Sequence, residues 1–193
     1  MKLIIASNNA HKIHEIKTIL AGRFDSVLSL REAGISHETV EDGRTFAENA
    51  LKKAREIVAI TGEAVLADDS GLCVDALGGA PGVFSARYAC ESSGHSTDEE
   101  NNRLLLKNLS SCDDRNAYFT CTIALVYPDG KEILATGFMY GHIINEYRGN
   151  CGFGYDPLFV PNGESRTIAE MSDAEKNAIS HRGNALKDLL SKI

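Results

Sequence analysis

The chain has 193 residues, 43% apolar and 24% charged, the balance of a single water-soluble globular domain, 1–193, with a sizeable core. A net charge of −7 and the lack of a long Lys/Arg run exclude a general nucleic-acid binder, so stable nucleic-acid binding is not expected. The apolar stretch before Ser7 is too short for a secretory signal and no later run approaches membrane-spanning length, so a cytoplasmic protein with no membrane partner is expected.

In chain order, residues 2–6 (KLIIA) read as a short buried strand, followed by a helix from Lys12 to Leu20 that Gly22 ends. Thr45 and Glu48 fit a capping box for a helix running to about Ile60, with Phe46, Ala50, Leu51, Ala54, Ile57 and Val58 inward. Residues 64–67 (AVLA) form a second short buried strand. Thr97 to Glu100 is another capping box, opening a helix through Leu104, Leu105 and Leu109. Residues 117–127 and 131–140 are β-rich and joined by Pro128-Asp129-Gly130, a hairpin signal. A third capping box, Ser172 to Glu175, starts a helix near the C-terminus, and Ser180 begins the last one. Early alternation of strand and helix followed by a hairpin predicts an α/β fold with a mixed sheet. Five cysteines (73, 90, 112, 121 and 151) without a Cys-x-x-Cys pair point to reduced, mostly buried thiols.

Four segments carry chemistry. Ser7-Asn8-Asn9-Ala10-His11-Lys12 lies between strand and helix, where backbone N–H groups and the Lys12 charge suit an anion; an ordinary helix cap explains it equally well. Asp68-Asp69-Ser70 directly follows an apolar strand. Two adjacent carboxylates at a strand end repel each other unless a cation is bound, and a hard metal such as Mg2+ takes one or two carboxylates plus phosphate oxygens. A solvated turn is the blander alternative. Gly152-Phe153-Gly154-Tyr155-Asp156 lets backbone approach a flat ligand while a ring stacks on a base, or is simply a tight turn with its aromatic in the core. Lys176 with His181 and Arg182 suits phosphate or a carbonyl edge, or forms a charged helix face. The acidic segment Val40-Glu41-Asp42-Gly43 adds a further candidate carboxylate.

In order, SNNAHK, VEDGRTFAENALKKA, ADDSGLCVDALGGAPGVFSARY, GFGYDPLF and EKNAISHRGNAL closely resemble the inosine triphosphate pyrophosphatase family, whose bacterial members are XTP/dITP diphosphatases; the likeness runs from residue 3 to about 190. The resemblance implies a long central mixed sheet flanked by helices, two lobes with the active cleft between them, and a homodimer. It implies Mg2+-dependent cleavage of ITP, dITP or XTP to the nucleoside monophosphate and pyrophosphate, which keeps these nucleotides out of DNA and RNA. Position by position, Ser7 to Lys12 match the phosphate loop, Glu41 and Asp69 the Mg2+ ligands, and Asp69 also the general base. Ser70 matches a substrate contact, Phe153, Gly154, Tyr155 and Asp156 the segment around base and sugar, and Lys176, His181 and Arg182 further nucleotide contacts. Lys12, Lys176 and Arg182 are expected to neutralise the leaving pyrophosphate, with Phe153, or alternatively Tyr155, stacking on the base. Rival readings are a hydrolase of modified pyrimidine triphosphates, an aspartyl phosphatase (which wants Asp-x-Asp where this chain has Ser-Asn-Asn), and a nucleotide-binding regulator without catalysis.

Overall fold

A computed structural model describes residues 2–90 and 96–193. Among them, six strands form one sheet in the order β2-β1-β3-β4-β5-β6: β1 (Lys2–Ile5), β2 (Ser26–Ser29), β3 (Ala64–Val74), β4 (Asn116–Val126), β5 (Glu132–Ile143) and β6 (Phe159–Pro161). β1 pairs in parallel with both β2 and β3, while β5 and β6 pair antiparallel, so the sheet is mixed as the alternation of elements predicts. The helices are α1 (Ala10–Ile19), α2 (Phe46–Thr61), α3 (Asp98–Asn108), α4 (Asp173–Ile179) and α5 (His181–Leu190).

The helix starts follow from local hydrogen bonding. At α2 the Thr45 hydroxyl accepts from the Glu48 N–H at 3.1 Å, and the Glu48 carboxylate accepts from the Thr45 N–H at 3.2 Å. The same reciprocal pair opens α3 at Thr97 and Glu100, and α4 at Ser172 and Glu175. The β4–β5 hairpin turns where Pro128 to Gly130 signalled it, with the Gly130 N–H donating to the Tyr127 carbonyl at 3.0 Å.

Other expectations move. α1 begins at Ala10, two residues before the expected Lys12, because Asn9 serves as its N-cap and accepts from the Lys12 N–H at 3.1 Å. The strand expected over 64–67 continues to Val74, so Asp68-Asp69-Ser70 lies inside β3, and its placement at a strand end is corrected. Charged residues followed by Gly71 mimic a turn, but here each carboxylate finds its own partners and the ladder runs on. β2 and β6, four and three residues long, are too short to show a periodic pattern and were missed.

The chain forms two compact units. Unit 1 comprises Met1–Asp69, Cys121–Gly137 and His181–Ile193, and its sheet is covered on both faces. Leu3 and Ile5 of β1, with Ala64 and Leu66 of β3, pack on Ile16 of α1, its C-cap Leu20, and Ala185, Leu186 and Leu189 of α5. The alternate residues Ile4, Ala6, Val65 and Ala67 pack on Ala50, Ala54 and Ile57 of α2. This is the two-residue period of a strand, with hydrophobic side chains on both faces. Unit 2 comprises Ser70–Thr120 and Phe138–Ser180, with its own core of Leu72, Val74, Leu105, Leu109, Phe119, Met139, Tyr155, Leu158 and Phe159.

In unit 1 the backbone of β5 touches α5 at Gly137, where a Cβ would fall against the Ala185 nitrogen and the His181 carbonyl oxygen. Both obstacles are backbone and neither can turn aside. Gly137→Ala is therefore expected to lower unfolding free energy by about 1–3 kcal/mol, read as a fall in the urea midpoint at unchanged slope.

Candidate active site

The alternation of β3 divides Asp68 from Asp69. Asp68 follows Ala64 and Leu66 onto the face covered by α1 and α5, while Asp69 follows Val65 and Ala67 onto the α2 face. The repulsion expected of neighbouring acids is relieved first by pointing them apart and then by giving each its own cations.

Asp68 is 1% exposed. Its Oδ2 accepts from Nε and Nη2 of Arg182, both at 3.2 Å, and lies 3.1 Å from the Lys12 ammonium. Arg182, also 1% exposed, is shared with Glu15 of α1 through Nη1. The Cys121 thiol sits 3.9 Å from the same Asp68 oxygen. Burial alone would push the Asp68 pKa up; Lys12 and Arg182 more than offset it and hold the carboxyl well below the usual range. Burial, followed by the Asp68 charge, pushes the Cys121 thiol up to about 12, so it remains protonated and unreactive.

Asp69 is bound differently. Its Oδ2 accepts from the Asn49 amide at 2.9 Å, and its Oδ1 is 3.5 Å from the Lys53 ammonium. Lys53 also holds the Glu41 carboxylate at 2.6 Å, so one cation links the two acids that were expected to bind a metal. Burial lowers the Lys53 pKa, but Asp69, Asp68 and Glu41 outweigh it and the net shift is upward. Burial raises the Asp69 pKa and the Glu41 charge adds to the rise, with Lys53, Lys12 and the Asn49 bond opposing. Among the described residues no three His, Cys, Asp or Glu side chains converge on one point. Two hard carboxylates that already converge on a cation nevertheless fit Mg2+, which fills its remaining positions with phosphate and water oxygens.

The loop before α1 does two things at once. Ser7 Oγ accepts from the Asn9 N–H at 3.2 Å and Asn9 caps the helix, while Asn8, Asn9, Ala10 and His11 are exposed around the helix N-terminus. Ordinary capping and an anion-facing helix end are therefore compatible.

In unit 2, Gly152 to Asp156 forms a compact turn. Asp156 is buried; its Oδ2 accepts from the Phe153 N–H at 3.0 Å and from the Lys176 ammonium at 2.9 Å. That ammonium lies 4.7 Å from the centre of the half-buried Phe153 ring. Tyr155 is buried in the unit 2 core and donates its hydroxyl to the Ser85 carbonyl at 2.8 Å. Its ring faces are thus committed to packing, which leaves Phe153 as the aromatic with an accessible surface. Ser70 is half-buried on β3, and His181 is buried in the first turn of α5.

Sequence reasoning missed Glu15, Asn49, Lys53 and Cys121. For Lys53 the signal was available: it stands three residues after Ala50 and four before Ile57, on the buried stripe of α2, with Asn49 one turn back. The adjacent Lys52 points to Asp42 and gives the pair the look of a solvated face.

The two aspartates should respond unequally to neutralisation. Asp68→Asn removes the buried charge that Lys12 faces and leaves Arg182 with Glu15 alone, and is expected to cost about 3–5 kcal/mol of unfolding free energy. Asp69→Asn removes a charge that burial already disfavours and should cost about 1 kcal/mol or less. Urea denaturation of both variants beside the parent checks the contrast.

A model of the Ham1 family matches residues 3–192. A Clostridium perfringens (strain 13 / Type A) protein named dITP/XTP pyrophosphatase is 52% identical over 200 residues, spanning 100% of this chain and 97% of that protein. A protein of the same name from Corynebacterium glutamicum (strain R) is 49% identical over 203 residues, again spanning 100% and 97%. Among solved structures, a HAM1 protein from Coxiella burnetii superposes with a TM-score of 0.88 at 40% identity, covering 100% of both chains. The Staphylococcus aureus Ham1 protein gives 0.87 at 39% identity, covering 100% of this chain and 97% of its own. With this agreement in sequence and fold along the whole length, the chain belongs to the Ham1 family.

Proposed function

We propose that this chain hydrolyses the deaminated purine nucleoside triphosphates dITP, ITP and XTP to the nucleoside monophosphate and pyrophosphate. The observation that carries the reading is the convergence of Glu41 and Asp69 on a single cation, with Lys12 and the α1 N-terminus belonging to the same unit. The name dITP/XTP pyrophosphatase, borne by relatives about half identical over their full length, supports the substrate class.

Glu41 and Asp69 would hold Mg2+, which when bound neutralises phosphate oxygens and makes a neighbouring water more acidic. Asp69 would take the proton from the attacking water. Lys12 and the first-turn N–H groups of α1 receive the triphosphate, with the Lys53 ammonium adding charge beside the two acids. Arg182 takes a role other than the expected contact with the leaving group. Bound to Asp68 and Glu15 and shut away from solvent, it fixes α1 and, through Asp68, the position of Lys12. Lys176 supports the Phe153 ring and Asp156 in the same manner.

Phe153 supplies the stacking surface for the purine, with the Gly154, Tyr155 and Asp156 turn behind it. The six-position oxygen of hypoxanthine or xanthine needs a donor, and His181 is our candidate; adenine presents its own donor there and would meet a mismatch. We take the active form to be a homodimer working in the cytoplasm, where nucleotide pools reside. No helix among the described residues is long and apolar enough to cross a membrane.

Incubation with ITP, XTP, GTP and ATP should yield pyrophosphate and monophosphate from the first two, and chelation of the divalent metal should stop the reaction. Release of single phosphates would overturn α–β cleavage. Asp69→Asn should lower kcat by about 10²–10⁴-fold with the fold retained by circular dichroism. Lys12→Ala should chiefly raise KM for the triphosphate; unchanged KM would remove Lys12 from the phosphate site.

A further inference from the structure

Helix α3 contributes nothing to the site described so far, yet two of its polar side chains grip both backbone polar groups of one residue of the Phe153 turn, Gly154. The Asp98 carboxylate accepts from the Gly154 N–H at 2.7 Å, and the Asn102 amide donates to the Gly154 carbonyl at 2.9 Å. Asp98 and Asn102 are four residues apart and therefore share one face of the helix, one turn apart. All these residues belong to unit 2. Gly154 has φ +62°, a conformation glycine adopts without strain, and it lies between Phe153 and the core-anchored Tyr155. Its N–H belongs to the peptide shared with Phe153 and its carbonyl to the peptide shared with Tyr155. The first of these peptides, together with the one whose Phe153 N–H donates to Asp156, flanks the Phe153 Cα and sets the direction of its Cα–Cβ bond; the second ties Gly154 to the core-anchored Tyr155.

Asn102 is 2% exposed, and its amide oxygen has no hydrogen-bond partner among the described residues. A buried unpaired amide oxygen costs stability, so folding alone favours an apolar residue here. The hydrogen bond to Gly154 is what this residue type adds. The helix end is itself held firmly: Thr97 and Glu100 cap it, while the neighbouring Asn101 accepts from the Ala89 N–H at 2.8 Å and from the Ser96 hydroxyl at 2.7 Å. From the other side Asp156 accepts from the Phe153 N–H, so the ring is suspended between α3 and the Asp156–Lys176 pair.

We propose that Asp98 and Asn102 are positioning residues for purine recognition, holding the Gly154 peptide so that Phe153 presents a preset face to the base. The inference rests on the reading of Phe153 as the base platform. Both residues act through backbone and touch neither phosphate nor metal, so their loss should weaken nucleoside binding equally in ground and transition states.

The test measures steady-state hydrolysis of ITP by the full chain and by Asp98→Ala, Asp98→Asn and Asn102→Ala, together with the inhibition constant of inorganic pyrophosphate. Asp98→Ala and Asn102→Ala should each raise KM for ITP about tenfold with kcat within about twofold, and the pyrophosphate constant should stay at the parent value. Asp98→Asn keeps an acceptor and should return KM toward the parent; because Asp98 is exposed, its variants also read the effect without disturbing the core. If KM is unchanged in both alanine variants, or kcat and the pyrophosphate constant shift along with KM, the positioning role is wrong. Absence of pyrophosphate release from ITP or XTP by the parent chain overturns the proposed function instead, a distinguishable result.

Discussion

The organisation of unit 1 depends on one constraint: β3 continues through two consecutive aspartates. A strand sends successive side chains to opposite faces, so the backbone that brings the carboxylates together in sequence also points them apart in space. Each face then has its own helices and its own cations. On the α1/α5 face Asp68 meets Lys12 and Arg182; on the α2 face Asp69 meets Asn49 and Lys53. Had the chain turned at Asp68, both acids would have competed for the same solvent-facing region.

The two faces are built to different energetic ends. Removing an ion from water costs several kcal/mol even after relaxation, so a buried charge persists only where its partners are well placed. Asp68 satisfies that condition with two cations and a depressed pKa. Its network links β3 to α1 through Lys12 and Glu15, and to α5 through Arg182, locking the helix that follows the Ser7–Asn9 loop. Asp69 retains a raised pKa, one amide hydrogen bond and a longer contact to Lys53. Such a carboxylate is held in place without being neutralised, the condition of a group free to take up a metal or a proton.

The legible part of the sequence was the part governed by local rules. Three capping boxes, the Pro128–Gly130 hairpin and the hydrophobic stripe of α2 follow from interactions within a few residues, and the structure places them there. What local rules cannot reach are partners separated by long stretches of chain. Arg182 binds Asp68 across 114 residues, a pairing no spacing could suggest, and its burial makes it an internal tie. The strand ending was misjudged for the same reason: whether Asp-Asp-Ser-Gly is a turn or an inner strand depends on cations delivered by helices elsewhere. Glu41, by contrast, was recoverable through the family resemblance, because that signal encodes tertiary proximity which a local pattern lacks.

Unit 2 solves a different problem. A flat ring must be presented to solvent without collapsing into the nearby core that already holds Tyr155, Leu158 and Phe159. Charge partners would orient it poorly, because an aromatic face offers only weak electrostatic handles. The backbone on either side of the ring is secured instead: Asp156 takes the Phe153 N–H and α3 takes both polar atoms of Gly154. With its main chain held, the ring keeps a fixed Cα–Cβ direction, and swinging the backbone inward would break hydrogen bonds at Phe153 and Gly154. The acids proposed as catalytic in unit 1 are thus set by side-chain ion pairing and the proposed base platform of unit 2 by main-chain hydrogen bonding. Substitutions at the first should act on charge and turnover, and substitutions at the second on shape and affinity.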